Sequence, residues 1–382
     1  MSDAGSFDGR DRAFMGQALA LGALAEGTTS PNPRVGCILT RGGRVVGRGF
    51  HRAPGEPHAE VVAVRDAGEA ARGATLYVNL EPCAHHGRTP PCVELLSRHG
   101  ISRVVSAMQD PNPMVNGRGF AILRKAGIRV DVGLLGREAE CMNEAFVHWH
   151  RLRRPLITFK AALTLDGQLS ARDGVSRWIT NAAARRFAHR LRLRSDAILV
   201  GGGTVREDNP RLTIRVAGLD STPRRVVLSS SLDLDPGARI FAPPSDSAPR
   251  TRIYTSPASA ASSRAEPLRA RAEIVEVPET PRGLDLLAVV RDLAGQGVQS
   301  LLVEGGGRTF AAFLRADLAD RGALFSAPRL VGSRGATPFV DAEAVAEPAL
   351  GLRFARHRVI PLGGDLLLLG RFLEGSTTCS PA

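Results

Sequence analysis

Short apolar, strand-like runs alternate with helical patterns along most of this chain, and the alternation begins afresh near residue 152. "VGCILTRGGRVVGRGF" reads as a hairpin turning at Arg41-Gly42-Gly43. His58 to Arg72 is an alanine- and valine-rich helix, and "ATLYVNL" a strand. "CVELLSRHG" is a helix entered through Pro90-Pro91 and closed by Gly100. "RVVSAM", "GFAILRKAG", "RVDVGLL" and "REAECMNEAFVHWHR" continue as strand, helix, strand, helix. Strands interleaved with helices predict an α/β fold built in layers on a sheet.

"RLRRP" closes this stretch, and a second α/β series opens with the strand "LITFKAALTLDG". The predicted domains are therefore 1–152 and 153–382. The second holds the helix "NAAARRFAHRLRLR", the strands "AILVGGG", "RRVVLSS" and "RIYTS", the helix "LDLLAVVRDLAGQG", the strand "SLLVEGGG" and the helix "TFAAFLRADL". Ser256 to Ala272, rich in Ala, Ser and Pro, is expected to be exposed and mobile at its start, and the tail "EGSTTCSPA" disordered. At 382 residues each half can bury its own core.

No apolar run is long enough to span a bilayer, so no membrane is expected as a partner. Aspartates stand near the start where a secretory signal has its basic region, and the five cysteines suggest no disulfide framework. Both features favour a cytoplasmic location. The net charge of +12 raises the question of nucleic acid. Yet all but two of the 50 basic residues are arginines, scattered along the chain, which fits a coding bias or an anionic small substrate.

Four of the nine histidines, His51, His58, His85 and His86, fall in one neighbourhood with two cysteines. His58, Cys83 and Cys92 offer one imidazole and two thiolates, a set soft enough to favour Zn²⁺. Three ligands leave a fourth position for water, and Glu60 is a free carboxylate beside it to shuttle protons. Residues two apart on a helix face nearly opposite ways. Convergence of His58 and Glu60 therefore requires the metal to lie off the helix's N-terminal end. Cys92 also opens a helix, where thiolates are favoured. Cys37 and Cys141 read as small core residues, and His99 as a helix-terminus residue.

H-x-E followed by P-C resembles the signature of the zinc nucleoside and nucleobase deaminases, whose glutamate is an acid/base and not a ligand. The usual second cysteine follows after two residues; here eight residues, "AHHGRTPP", intervene. With "SPNPRVGC", "GEPHAEVVA", "LEPCAHHGRTPPC" and "MQDPNPMVNGRG", the first half is similar to the riboflavin-biosynthesis deaminases. That resemblance implies a cytidine-deaminase-like three-layer α/β/α domain in which Glu60 is catalytic. It also implies that Asn32, His51, His85 and Arg88 line a pocket for a phosphorylated aminopyrimidine.

In the second half, glycine clusters follow two predicted strands, in "AILVGGGTVREDNP" and "LLVEGGGRTF". Glycines let backbone amides approach a phosphate, but neither cluster is a dinucleotide fingerprint. Together with "KAALTLDGQLS", "SRWIT" and "APRLVG", they resemble the reductase half of the bifunctional riboflavin enzymes. The resemblance implies a dihydrofolate-reductase-like α/β domain using NADPH. It places cofactor contacts at Ala162, Trp178, Thr204, Asp208, Gly306, Gly307 and Arg308. Substrate contacts fall at Lys160, Ser176, Arg192, Leu212, Arg215 and Glu304, where the two arginines suit a sugar phosphate.

The reading is a bifunctional enzyme of riboflavin biosynthesis. Its small-molecule substrates are phosphorylated aminopyrimidines, with no nucleic acid partner, and a homo-oligomer is the expected assembly. Two rivals are a nucleic-acid deaminase (tRNA or single-stranded DNA) with an accessory domain, and a relative in which one domain has become a noncatalytic binding module.

Overall fold

The structure, a computed structural model, describes residues 7–84, 90–174, 178–216, 223–242, 249–343 and 353–372. It divides into two compact units, one ending at Leu152 and the other beginning at Arg153.

The first unit is built on five strands, β1 (Gly36–Arg41), β2 (Arg44–Phe50), β3 (Thr75–Val78), β4 (Arg103–Ser106) and β5 (Arg129–Val132), in the order β2-β1-β3-β4-β5. β1 is antiparallel to β2 and β3, while β3, β4 and β5 are parallel. Successive residues of a strand point to opposite faces, and both faces here are apolar. Cys37, Leu39, Leu76, Val78 and Val104 join one core with α2 (Ala59–Ala67), α3 (Cys92–Arg98) and α4 (Arg118–Lys125). Ile38, Tyr77 and Val105 join the other with α1 (Gly9–Ala23), α5 (Gly136–Met142) and α6 (Glu144–Leu152). Three layers, α/β/α, result.

The structure departs from the expected elements at identifiable residues. α1 was not expected, because its alanines and glycines give little amphipathic contrast. It is fixed instead by a capping box between Asp8 and Asp11, and by buried Asp11 receiving the Tyr77 hydroxyl at 2.6 Å and Arg103 at 2.8 Å. α2 stops at Gly68, whose φ of 53° ends the helix, and one 3₁₀ turn follows. "REAECMNEAFVHWHR" is two helices. Asn143 interrupts it, its side chain accepting the Arg34 N–H at 2.8 Å and donating to the Arg34 carbonyl at 3.0 Å.

The second unit carries a nine-stranded sheet. In spatial order its strands are Ala272–Glu276, Thr251–Thr255, Arg224–Leu228, Ala197–Gly201, Ser300–Val303, Leu156–Thr164, Arg321–Ala327, Asp365–Arg371 and Ala355–Leu362. The first seven are parallel and the last two join antiparallel. Phe159, Phe310 and Phe313 are at most 1% exposed and pack together at the centre of its core. Each such ring contributes roughly 1.5–3 kcal/mol by burial. Arg321–Ala327 escaped the sequence reading because Gly322 and Ser326 blur its apolar run. Gly322 has to be glycine-sized, since a Cβ there would lie 2.6 Å from the Phe354 ring.

Ser256 to Ala272 is more ordered than its composition suggests. Ser256 caps the short helix Pro257–Ala260, and Ala260, Ala265 and Leu268 are buried. The tail "EGSTTCSPA" lies outside the described residues. Among the described residues no helix is long and apolar enough to cross a membrane.

Candidate functional site

α2 packs closely on β2 because Gly49 offers no side chain; a Cβ there would sit 2.1 Å from the Ala59 carbonyl oxygen. That contact sets the N-terminal end of α2. His58 is the residue just before the helix, with extended backbone (φ −66°, ψ 158°), so it is free of the helical spacing that opposes it to Glu60. Pro91 likewise precedes α3, and Cys92 opens it. The Cys92 N–H donates to Cys83 Sγ at 3.3 Å. His58 Nδ1 lies 3.3 Å from Cys92 Sγ and 3.5 Å from Cys83 Sγ. All three ligand atoms fall within 4.8 Å of one another.

Contact with Cys92 holds the Cys83 thiol well below the usual thiol range. Cys92 is pushed up by the same contact and by burial. The two thiols are thus driven in opposite directions by their mutual contact, and a bound divalent cation would favour the thiolate form of both. One imidazole, two sulfurs and a short mutual distance fit Zn²⁺. Glu60, 4% exposed, sits beside them with its carboxyl raised by burial to about 6, inside the range useful for proton relay.

A cavity of about 200 Å³ opens on this cluster, lined among others by Asn32, His51, His58, Glu60 and Cys83. The Pro57 carbonyl accepts from His51 Nδ1 at 3.2 Å, leaving Nε2 as acceptor for the Asn32 amide at 3.1 Å. His85 and Arg88 lie outside the described residues. Sequence reasoning missed Asp110, Asn112 and Phe146 in the cavity wall. Burial raises the Asp110 carboxyl to about 6. It also missed Glu81, 3% exposed, whose Oε2 accepts from the Asp110 and Gly117 N–H groups at 3.1 and 2.9 Å. Glu81 Oε1 accepts from Gly119 and Phe120 at 2.9 and 3.3 Å.

In the second unit, Lys160, Ala162, Trp178, Thr204, Asp208, Leu212, Arg215, Arg192, Glu304 and Gly306 all line one cavity of about 640 Å³. Ser176 is outside the described residues. Glu304 is the focus of charge. Arg192 donates to it through Nε at 2.6 Å and Nη2 at 3.0 Å, and Lys160 Nζ is 3.5 Å away. Burial works to raise the Glu304 carboxyl, but the Arg192 and Lys160 charges overrule it and hold it at about 2.

Gly307 and Arg308 line a second cavity of about 590 Å³, which shares Thr204, Glu207, Gly306 and Thr337 with the first. The two make a trough along the ends of the parallel strands, where open α/β sheets bind ligands. Ser229, Ser230, Ser231 and Arg282 in its wall were missed. The serine run directly after the strand "RRVVL" was the available signal. An elongated, polar trough with glycine turns and arginines fits a phosphorylated dinucleotide.

A three-ligand zinc pocket beside a buried carboxylate, on a three-layer α/β/α sheet, defines the first unit as a domain of the cytidine-deaminase class. Residues 9–108 match the cytidine and deoxycytidylate deaminase zinc-binding region. Residues 155–367 match the RibD C-terminal domain. The chain is 39% identical to riboflavin biosynthesis protein RibD of Aquifex aeolicus, covering 94% of this chain and 97% of that one. It is 40% identical to RibD of Escherichia coli, covering 94% and 98%. Its structure is similar to that of Acinetobacter baumannii RibD, with a TM-score of 0.86, 34% identity and coverage of 96% and 99%. It also resembles a Thermotoga maritima structure described as a diaminohydroxyphosphoribosylaminopyrimidine deaminase/5-amino-6-(5-phosphoribosylamino)uracil reductase. There the TM-score is 0.82 and the identity 32%, with coverage of 95% and 99%. The chain belongs to the RibD family.

Proposed function

We propose that this chain catalyses two successive steps of riboflavin biosynthesis. The first unit hydrolytically deaminates 2,5-diamino-6-ribosylamino-4(3H)-pyrimidinone 5′-phosphate, releasing ammonia. The second reduces the ribosyl group of 5-amino-6-(5-phosphoribosylamino)uracil to ribityl. One observation carries the reading: His58, Cys83 and Cys92 converge within 4.8 Å beside buried Glu60, in a chain whose remainder matches the RibD C-terminal domain.

In the first unit His58, Cys83 and Cys92 would hold zinc, which would supply an activated water for the hydrolysis. Glu60 would take a proton from the attacking water and deliver it to the departing amine. Its burial suits it to hold a proton near neutral pH. Asn32 and His51, already hydrogen-bonded to each other, present a fixed polar edge to the pyrimidine.

In the second unit Ala162, Trp178, Thr204, Asp208 and the Gly306–Arg308 turn would hold NADPH, which would supply the hydride. Lys160, Arg192 and Glu304 form the polar floor on which the sugar is oriented, and Arg215 takes the 5′-phosphate. Orientation of two bound reactants, without a covalent nucleophile, accounts for the rate this site supplies. A cytoplasmic location and a homo-oligomeric assembly belong to the same proposal.

Mass spectrometry of the products formed from the diaminopyrimidine phosphate tests the whole reading. The deaminated aminouracil should accumulate without NADPH, and the ribityl product should appear with it. Salt-sensitive deamination of tRNA or single-stranded DNA, with the small substrate untouched, would favour the nucleic-acid rival instead.

A further inference from the structure

The cations around the 640 Å³ cavity are not equivalent. Arg192 spends its donors on Glu304 and, through Nη1, on the Thr213 carbonyl at 2.9 Å. Lys160 faces the same carboxylate. Arg185 stacks over Trp178 at 4.5 Å and donates to the Thr180 carbonyl at 2.6 Å. Arg215 differs: it is held by a histidine. His189 Nδ1 lies 3.2 Å from the Arg215 backbone nitrogen, and His189 Nε2 lies 3.3 Å from Arg215 Nε. Among the described residues no other hydrogen bond or ion pair reaches the Arg215 guanidinium.

His189 sits on the helix Ala182–Leu193, three residues before Arg192 and so on the same side of it. A neutral imidazole has one acceptor nitrogen, so one of the two contacts is the hydrogen bond and the other a packing contact. An imidazolium would have none, and would add a third positive charge beside Arg192 and Arg215. Burial and those two charges hold His189 neutral, at about 4. In the tautomer whose Nε2 is the acceptor, His189 grips Arg215 along its Nε edge, and Arg215 keeps both Nη groups for a partner, the fork that suits a phosphate.

We infer that His189 is a positioning residue: it holds Arg215 with its Nη fork presented to the substrate's 5′-phosphate, and so sets the site's preference for the phosphorylated sugar. This rests on the reductase reading above. With His189 absent, Arg215 has to be ordered by the substrate itself, which weakens binding without touching the hydride step.

The test uses the full-length protein with His189→Ala, His189→Gln and Arg215→Ala. Reduction of 5-amino-6-(5-phosphoribosylamino)uracil is compared with reduction of its dephosphorylated form, measuring KM and kcat for each. For His189→Ala, KM for the phosphorylated substrate should rise about tenfold, the loss expected for one weakened charge-assisted contact. Its kcat and its KM for the dephosphorylated form should be unchanged. His189→Gln, which keeps an acceptor, should recover most of the loss. An equal rise in KM for both substrates, or no rise at all, would overturn the positioning role. If Arg215→Ala keeps the full preference for phosphate, the assignment of Arg215 in the reductase reading is what fails, and the role of His189 falls with it.

Discussion

The Cys92 backbone N–H donates to the Cys83 sulfur at 3.3 Å, so one proposed metal ligand is oriented by the backbone that carries the other. The cysteines are bound into one unit by the start of α3, with the Cys83 carbonyl also accepting from the Val93 N–H at 3.3 Å. The purified protein should therefore contain about one zinc per chain. Cys83→Ser should lose both the metal and deamination, measured by metal analysis and by ammonia release. Full zinc content with normal deamination in that variant would remove Cys83 from the ligand set.

In the proposed mechanism Glu60 moves protons and is not a metal ligand. Glu60→Gln should keep zinc near the wild-type level while deamination falls by about 10²–10⁴-fold or more, the scale of general acid–base catalysis. Reduction of substrate supplied already deaminated should be nearly unchanged. Zinc content and both rates can be read on one preparation. Loss of zinc would make Glu60 a ligand, and a normal deaminase rate would take it out of the mechanism.

How far the sequence could be read depended on whether residue type or residue position carried the information. His58, Cys83 and Cys92 were legible because metal chemistry selects imidazole and sulfur, whatever the chain does between them. Cys37 was legible as core, and it is fully buried. Asp110 and Asn112 were not, because an aspartate and an asparagine in "QDPNP" look like turn formers. Only the parallel pairing of β3 and β4 brings them beside Cys83. Arg192 and Glu304 were both placed in the second site by resemblance, but their pairing was not legible: Glu304 lies 112 residues away and takes two of the Arg192 donors. The same holds for the fold, where the β-rich end of the second unit rests on long-range pairing that local patterns do not report.

Glu304 makes the second site sensitive to acid. Its carboxyl is held at about 2 against an ordinary 4.5, a folded-state value below the unfolded one. Its pairing with Arg192 and Lys160 therefore stabilises fully above pH 4.5 and is lost as pH falls from 4.5 toward 2. The pH-dependent part is on the order of 3 kcal/mol. Glu304→Gln should be less stable than the parent at neutral pH, with the gap narrowing as pH drops below about 4.5. Urea midpoints of both proteins at several pH values give the comparison. A gap that stays constant with pH would show that the ion pair contributes nothing to stability.

Each unit has its own apolar core, with one cluster centred on Leu76 and another on Phe159. A fragment from Arg153 onward should fold, bind NADPH without zinc and reduce the deaminated substrate. Trp178 lines its cavity and is the fragment's only tryptophan, so quenching of fluorescence on NADPH addition reports binding. A folded fragment with no affinity for NADPH would count against the reductase assignment.

Glu81 ties the zinc loop to the wall of its pocket. Two residues before Cys83, its carboxylate accepts four backbone N–H groups, from Asp110, Gly117, Gly119 and Phe120. Gly119 is needed for this approach, since a Cβ there would lie 2.3 Å from the Pro82 carbonyl oxygen. Glu81→Gln turns one accepting oxygen into an NH₂ group that faces N–H donors. Two bonds are lost and two buried donors left unmet, a cost of about 3 kcal/mol or more. The damage should be confined to the first unit. Trp149 and Trp178 are the chain's two tryptophans, one in each unit, so a Trp178→Phe background lets Trp149 fluorescence report the first unit alone. In that background, Glu81→Gln should lower the urea midpoint and weaken zinc retention against a chelator. NADPH affinity, measured by calorimetry, should stay the same. An unchanged midpoint would mean that water or local rearrangement satisfies the four N–H groups, and that Cys83 is placed by the α3 contacts alone.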